Sequence, residues 1–571
     1  MDIAAPPGAT RWISRSSELD AGPGRSAGSR VRIDRHLLAL PQLSGRRSHR
    51  SQVLRAGPLA KLSFALAILG SCAPVDAQRT ISPSPTPVAT AAASPTATAR
   101  PSRQPLVGLP APLAGEPTIV LYLPYLARAL GGADGWETPF IIQVADTSSA
   151  DLELSFYAIS DGALVARRIV RGLKPGTSYA DQPNRDTDLP ADEAFSAVVR
   201  SFGAKVVAVV NQQRGAGPRF EADSYVGRFE GAQRLFFPSI SRGADGFTSR
   251  VIVQNIGSGP TQATLTLLPQ DGGAQVTVTR SIQAGRSAII DLGAEPDLRD
   301  GQYAATVNAT ERLVAVANTH RDAPAIAAPM LYSYNAFFSG ANTVYGPYAA
   351  KNVPGIGAGS STITVQNMRS DADRPSLSFT PLGGGPVTRF DGPTLAPGVA
   401  WAFDLRFQDG DRSHPACGPT ATASCLADGE YSYVAGSTGG QFAALATVIG
   451  PTTAASYTAL ARVADYFVPN VTRRLGGADG WTTPIIVQSV NASRLTLSWY
   501  RFADGSLAAT QQATMAPGSA LRIDPRDVPG LSDGAQYAVV IDGNGGRLVA
   551  IVVQLNSLGG DGAAIYEGSA R

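Results

Sequence analysis

Histidine and lysine are scarce in this 571-residue chain: four of each occur, and only His320 and His414 follow residue 71. A Ser-His-Asp or Cys-His nucleophilic site would have to use one of those two histidines. No Gly-x-Ser-x-Gly elbow, His-Glu-x-x-His pair or phosphate-binding glycine loop stands in a suitable context. Cysteine is rarer still, with only Cys72, Cys417 and Cys425, so a repeated core disulfide is excluded and a thiolate metal site lacks ligands. Basic excess is missing where it would matter. Residues 1–71 carry eleven basic against four acidic side chains, so the rest of a chain of net +3 carries −4, which argues against nucleic-acid partners.

What is present is glycine and proline, 60 and 42 residues, with 44% hydrophobic and 16% charged residues. That composition suits short strands joined by tight turns better than long amphipathic helices. The length implies three to five domains.

Arg55 and Lys61 precede a nine-residue apolar run, Leu62 to Gly70, followed by Ser71 and Cys72. Such a run is too short for a bilayer core that needs about twenty residues, and it reads as a signal-peptide segment. Leu69-Gly70-Ser71-Cys72 resembles the lipobox of bacterial lipoproteins, which implies lipidation at Cys72; cleavage after Ala77, behind Val75-Asp76, is the competing reading. Either one exports the chain, and membrane contact is expected only through a lipid anchor. Residues 1–52, rich in Arg, Gly and Ser, are expected to be disordered or to lie upstream of a true start near Val53 or Leu54. Residues 53–71 form the signal segment. Residues 72–117, dominated by Pro, Ala, Thr and Ser, read as an extended stalk that cannot build a core.

Beyond the stalk the chain repeats itself. The first copy has Leu123-Pro124, Gly132-Ala133-Asp134-Gly135-Trp136 and Ile141-Ile142-Gln143. The second has Phe237-Pro238, Gly243-Ala244-Asp245-Gly246-Phe247 and Val253-Gln254-Asn255. The fourth has Val468-Pro469, Gly477-Ala478-Asp479-Gly480-Trp481 and Val487-Gln488. The third keeps Val353-Pro354 and Val365-Gln366-Asn367, but Gly357-Ala358-Gly359-Ser360 replaces the Asp-Gly-aromatic turn. Gln143, Gln254, Gln366 and Gln488 recur at intervals of 111, 112 and 122 residues. Each copy continues through an alternating strand, an apolar strand ending in Asn or Gln, and a short strand centred on Tyr225, Tyr334, Tyr457 or Tyr566. Six or seven strands per copy are predicted.

The fold class expected is therefore all-β: four tandem Ig-like β-sandwich domains at 118–228, 229–336, 337–461 and 462–571. The arrangement resembles tandem repeats of secreted bacterial surface lipoproteins, and each copy is similar to the small β-sandwich of sensory-rhodopsin transducers. That similarity implies a fold and carries no catalytic motif.

Cys417 and Cys425 sit in an insertion of the third copy and are expected to form a local disulfide. The Gly-Ala-Asp-Gly-aromatic segment has two readings. It is a structural turn whose aromatic plugs a sandwich end, or a ligand loop in which Asp134, Asp245 and Asp479 meet Ca²⁺ and Trp136 and Trp481 form sugar platforms. No cofactor and no metal are expected. The leading expectation is a non-enzymatic exported structural or adhesive cell-surface protein, with a cell-wall, glycan or surface-protein ligand. A carbohydrate-binding module array is the alternative. An extracellular glycoside hydrolase is the third reading and needs two facing acids about 5–10 Å apart.

Overall fold

Alternating apolar and polar residues punctuated by Gly and Pro direct this chain into strands. The computed structural model describes residues 108–132, 134–321, 329–353, 359–437, 439–460, 465–492 and 494–570. The signal segment, Cys72, Ala77 and the stalk to residue 107 lie outside the described residues, as do Ala133 and residues 354–358. The described helical turns are three-residue 3-10 turns, and the structure is all-β.

The first repeat holds β1 (Ile119–Arg128), β2 (Phe140–Val144), β3 (Ala150–Ala158), β4 (Leu164–Leu173), β5 (Ser178–Asp181), β6 (Glu193–Phe202), β7 (Val206–Arg214) and β8 (Glu221–Val226). The second holds β9 (Ala232–Arg242), β10 (Thr248–Asn255), β11 (Thr261–Pro269), β12 (Val276–Ile282), β13 (Ser287–Asp291), β14 (Gly301–Arg321) and β15 (Met330–Asn335). The third holds β16 (Thr343–Lys351), β17 (Ser360–Asn367), β18 (Ser376–Pro381), β19 (Thr388–Asp391), β20 (Ala400–Asp404), β21 (Gly429–Gly436), β22 (Phe442–Ile449) and β23 (Ala454–Thr458). The fourth holds β24 (Tyr466–Arg473), β25 (Ile485–Ser489), β26 (Arg494–Arg501), β27 (Leu507–Thr514), β28 (Ala520–Ile523), β29 (Ala535–Asp542), β30 (Leu548–Leu555), β31 (Ala563–Glu567) and β32 (Ser569–Ala570).

One topology serves all four. In the first repeat the sheets run β1-β6-β3-β4 and β5-β2-β7-β8; the third repeats this order strand for strand, and the fourth does so with the short β32 added beside β24. In the second, β14 is long enough to serve both sheets: residues 303–308 pair with β9 and β11, and residues 313–321 pair with β10 and β15. A repeat thus has eight strand positions rather than six or seven. The proline-bearing entry pairs as a full strand because its proline sits in a bulge, where a missing N–H breaks no ladder bond. The bulges fall at Leu123/Leu126, Tyr303/Ala305 (across from Pro238), Gly346/Ala349 and Val468/Val471. In the third repeat the proline of the bulge is therefore Pro347, not Pro354.

Each bulge is closed by the tyrosine of the last strand. Tyr225 Oη donates to the Tyr125 carbonyl and accepts from Tyr125 N at 3.2 Å. Tyr334 Oη donates to Ser239 O at 2.6 Å and accepts from Ser239 N at 3.4 Å. Tyr457 Oη donates to Tyr348 O and accepts from Tyr348 N at 3.1 Å. Tyr566 Oη donates to Asn470 O at 2.6 Å. All four rings are buried, and burial pushes their pKa values up.

The sandwiches are not strung out like beads. β1 packs on β10 and β14, β9 on β17 and β22, β16 on β25 and β30, and β24 returns to β2 and β7. The ring therefore closes. Ile252 and Val316 join the core of the first repeat, Leu445 that of the second, Ile486 and Ile551 that of the third, and Ile141 and Val209 that of the fourth. Strands such as β7 and β30 are consequently buried on both faces, which explains their unbroken apolar runs. Two of the four recurrent glutamines bond across these seams: Gln366 Nε2 donates to Ala305 O at 3.1 Å, and Gln488 Nε2 to Tyr433 O at 3.3 Å.

The last strands, β8, β15, β23 and β31, pack in cyclic order around a common axis and are buried throughout. Their polar side chains join neighbours. Asn335 exchanges two bonds with the Val226 backbone at 3.0 and 3.1 Å, and Ser456 Oγ donates to Ser333 O at 2.9 Å. Asp223 accepts the amides of Ser333 and Ile565. Asp561 accepts those of Leu331 and Ala454 at 2.8 and 3.0 Å. Burial raises the pKa of both acids despite these bonds.

Two measurements test this account. Tyr566→Phe strips the hydroxyl from its bulge and is expected to lower stability by about 1–3 kcal/mol; an unchanged denaturant midpoint would refute the role. A raised carboxyl pKa favours the folded state most below the unfolded value of about 4 and loses that advantage as pH rises toward the folded value. The stability gap between wild type and Asp561→Ala is therefore expected to be widest near pH 4 and to narrow toward neutrality in thermal melts; a gap that widens would contradict it.

Candidate functional site

The Asp-Gly-aromatic turns are built at the ring's seams. In the first repeat the turn folds back so closely that a Cβ on Gly135 would meet Leu130 O at 2.3 Å, and one on Gly480 would meet Leu475 O at 2.1 Å. Glycine is required there by contact. Each turn closes with a bridge, Leu130 to Trp136 and Leu475 to Trp481, and the aromatic then leans on the next repeat. Trp136, half-buried, meets His320 edge-on at 6.4 Å and carries the Arg214 guanidinium at 4.8 Å. Trp481 meets Phe220 edge-on at 6.0 Å. Phe247 packs on Tyr332 of its own repeat with centroids 5.4 Å apart, in a cluster that takes in Ala454 of the third.

The acids of these turns are not brought together. Asp134 and Asp479 are exposed and use their backbone carbonyls, which accept from Gly215 N at 3.0 Å and Ser557 N at 2.9 Å. Asp245, with φ +50°, pairs with Arg412 of the third repeat at 2.8 Å. Among the described residues no three His, Cys, Asp or Glu side chains gather as a metal-ligand set.

Cys417 and Cys425 are joined by a disulfide. Their loop is held by two ionic anchors. Lys351, fully buried at the end of β16, donates Nζ to Gly418 O at 2.5 Å and Leu426 O at 2.8 Å, and pairs with Asp428 at 3.0 Å. Arg242 and Arg473 end the equivalent strands and likewise donate to loop carbonyls, at 3.1 Å to Leu292 O and 2.9 Å to Leu531 O. Asp404 is the second anchor: burial raises its pKa, but Arg406 and Arg412 outweigh this and hold it below the usual range. Since Arg412 also reaches Asp245, the stapled loop ties the third repeat to the turn of the second. This arrangement is invisible in sequence, where Lys351 reads as one of a few stray lysines.

The seams flanking the first repeat leave cavities under the two tryptophans. Between the first and second repeats a pocket of about 150 Å³ contains Trp136, His320, the Arg250–Asp291 pair at 2.8 Å, and the Gln212–Asn318 amide pair with bonds of 2.6 and 3.1 Å. The corresponding pocket between the fourth and first repeats, about 220 Å³, contains Trp481, Asn470, Gln536 and the Gln554–Asn211 pair at 3.1 Å. It adjoins a second pocket of about 410 Å³ through Pro139, Gln182 and Gln213, which adds Glu137, Asn184 and Arg185. Burial raises the Glu137 pKa against a hydrogen bond from Gln213. The result is a continuous polar groove in which amides, the acids Asp181, Asp223 and Glu137, and Arg185 stand around one indole. The amides were legible only as the Asn or Gln that ends an apolar strand, with nothing to say that strands from two repeats would face each other.

Lys351→Met is expected to release the stapled loop, lower stability by about 1.5–3 kcal/mol, and open residues 406–428 to limited proteolysis. Equal protease resistance would show that the disulfide alone holds the loop. No protein-family model matches this chain, and no curated protein matches it either.

Proposed function

We propose that this chain is a non-enzymatic adhesive protein of the cell exterior, exported and carried on its Pro/Thr-rich stalk, with the closed ring as its rigid head. A ring whose seams share cores holds every surface groove in one geometry, and pre-organisation of that kind favours binding because little ordering remains to be done. A secreted chain with a single local disulfide needs such packing to stay folded outside the cell.

The observation that carries the reading is the groove between the fourth and first repeats. Asn211, Gln213, Gln554, Asn470 and Gln536 present neutral donors and acceptors beside Trp481, in a lining that also holds Asp181 and Asp223. Uncharged hydrogen bonding next to an aromatic face suits the hydroxyls and C–H faces of a sugar. This favours a carbohydrate-binding head as the second, narrower reading, with a surface glycan as the adhesive ligand.

Full-length protein screened on a glycan array and against isolated cell walls is expected to be retained, and Trp481→Ala to lose roughly tenfold or more in affinity while remaining folded by circular dichroism. Failure to bind glycans while cell walls are still retained would discard the sugar reading alone. Retention on neither, or cleavage of a bound glycan, would discard the adhesive reading.

A further inference from the structure

The four axial strands end together on one side of the ring, and the segments leaving them enclose a pocket of about 490 Å³. Residues 226–230, 336–339, 458–460 and 567–570 line it, so every repeat contributes. Much of its wall is apolar: Phe337, Phe338, Tyr466 and Phe229, the last 46% exposed and among the few large apolar side chains left in solvent. The volume is that of a site for one small molecule.

Its charges are arranged unusually. Arg228 is held by its backbone, which pairs with Tyr122 in both directions at 2.8 and 3.1 Å. Arg228 lines the pocket, and its Nε is buried without a hydrogen-bond partner. A buried guanidinium donor left unpaired is costly, and burial accordingly lowers the Arg228 pKa, with Glu567 offsetting this only in part. Glu567 lines the same pocket yet forms no ion pair with Arg228; its Oε1 instead accepts both the amide and the hydroxyl of Thr458. Glu230 stands exposed in the same lining. A simple anion that satisfied Arg228 would face two carboxylates. A simple cation would leave Nε unpaired.

We propose that this axial pocket binds a small zwitterion of the free α-amino acid type, its carboxylate on Arg228, its ammonium toward Glu567 and Glu230, and an apolar side chain against Phe229, Phe337 and Phe338. Such a ligand is neutral overall and matches both signs at once, and its apolar part covers the exposed phenyl ring. The site shares no residue with the seam groove, so its failure leaves the adhesive reading standing.

Isothermal titration of the full-length protein with phenylalanine, 3-phenylpropionate and 2-phenylethylamine separates the three charge types on one apolar body. Phenylalanine is expected to bind roughly tenfold or more tightly than either single-charge analogue, with leucine as a second apolar zwitterion. Arg228→Gln is expected to weaken phenylalanine by a similar factor while melting like wild type, because the Nε it removes has no partner. An analogue that binds as tightly as phenylalanine, an unchanged affinity in Arg228→Gln, or no heat with either amino acid at millimolar concentration would each overturn the proposal.

Discussion

A proline in the first strand of each repeat leaves a bulge whose backbone cannot complete a ladder, and the tyrosine hydroxyl that closes it holds the rest of the molecule in place. The tyrosine comes from the last strand, so its bond draws that strand across the sandwich. Four such strands, each fixed by its tyrosine, then meet on one axis. A buried amide and carbonyl without partners would cost more than most single contacts in the repeat contribute, so proline and tyrosine act as a pair.

Ring closure follows from a second constraint. The sheet containing β7, or its equivalents β14, β22 and β30, is apolar on both faces, and a single sandwich covers one face only. The uncovered face must meet another surface, and the first strand of the preceding repeat supplies it. Applied four times, the rule brings β24 back onto β2 and β7. The seams also account for the polar residues that break the apolar runs: Gln366 and Gln488 bond backbone carbonyls across a seam, and Gln212 and Gln554 bond asparagines across two others. The seam pockets lie where two repeats meet, because each takes walls from both and neither closes it alone.

The third repeat departs from its siblings where the Asp-Gly-aromatic turn is missing, and its stapled loop takes over part of that role. Arg412 reaches from the loop to Asp245, the turn acid of the second repeat. An acid whose turn reads in sequence either as structural or as a cation ligand thus serves as one end of a tether between repeats. Trp136 and Trp481, read as plugs or sugar platforms, are half-buried edge contacts that also border pockets, so one residue can fill both roles.

Fold class was legible from the chain itself, since alternation, turn residues and the recurring glutamine are local properties that survive in one dimension. The disulfide partners Cys417 and Cys425 were legible for the same reason, being close along the chain. The expected count of six or seven strands per copy fell short of the eight positions found. The third repeat's entry was misplaced at Pro354 because Gly346-Pro347 offers no aliphatic residue before the proline. Ring closure, the amide pairs at the seams, the buried Lys351 and the unpaired Arg228 were decided by tertiary structure alone. Each depends on residues about 65 to 345 positions apart, and no local pattern encodes which apolar face will find which partner.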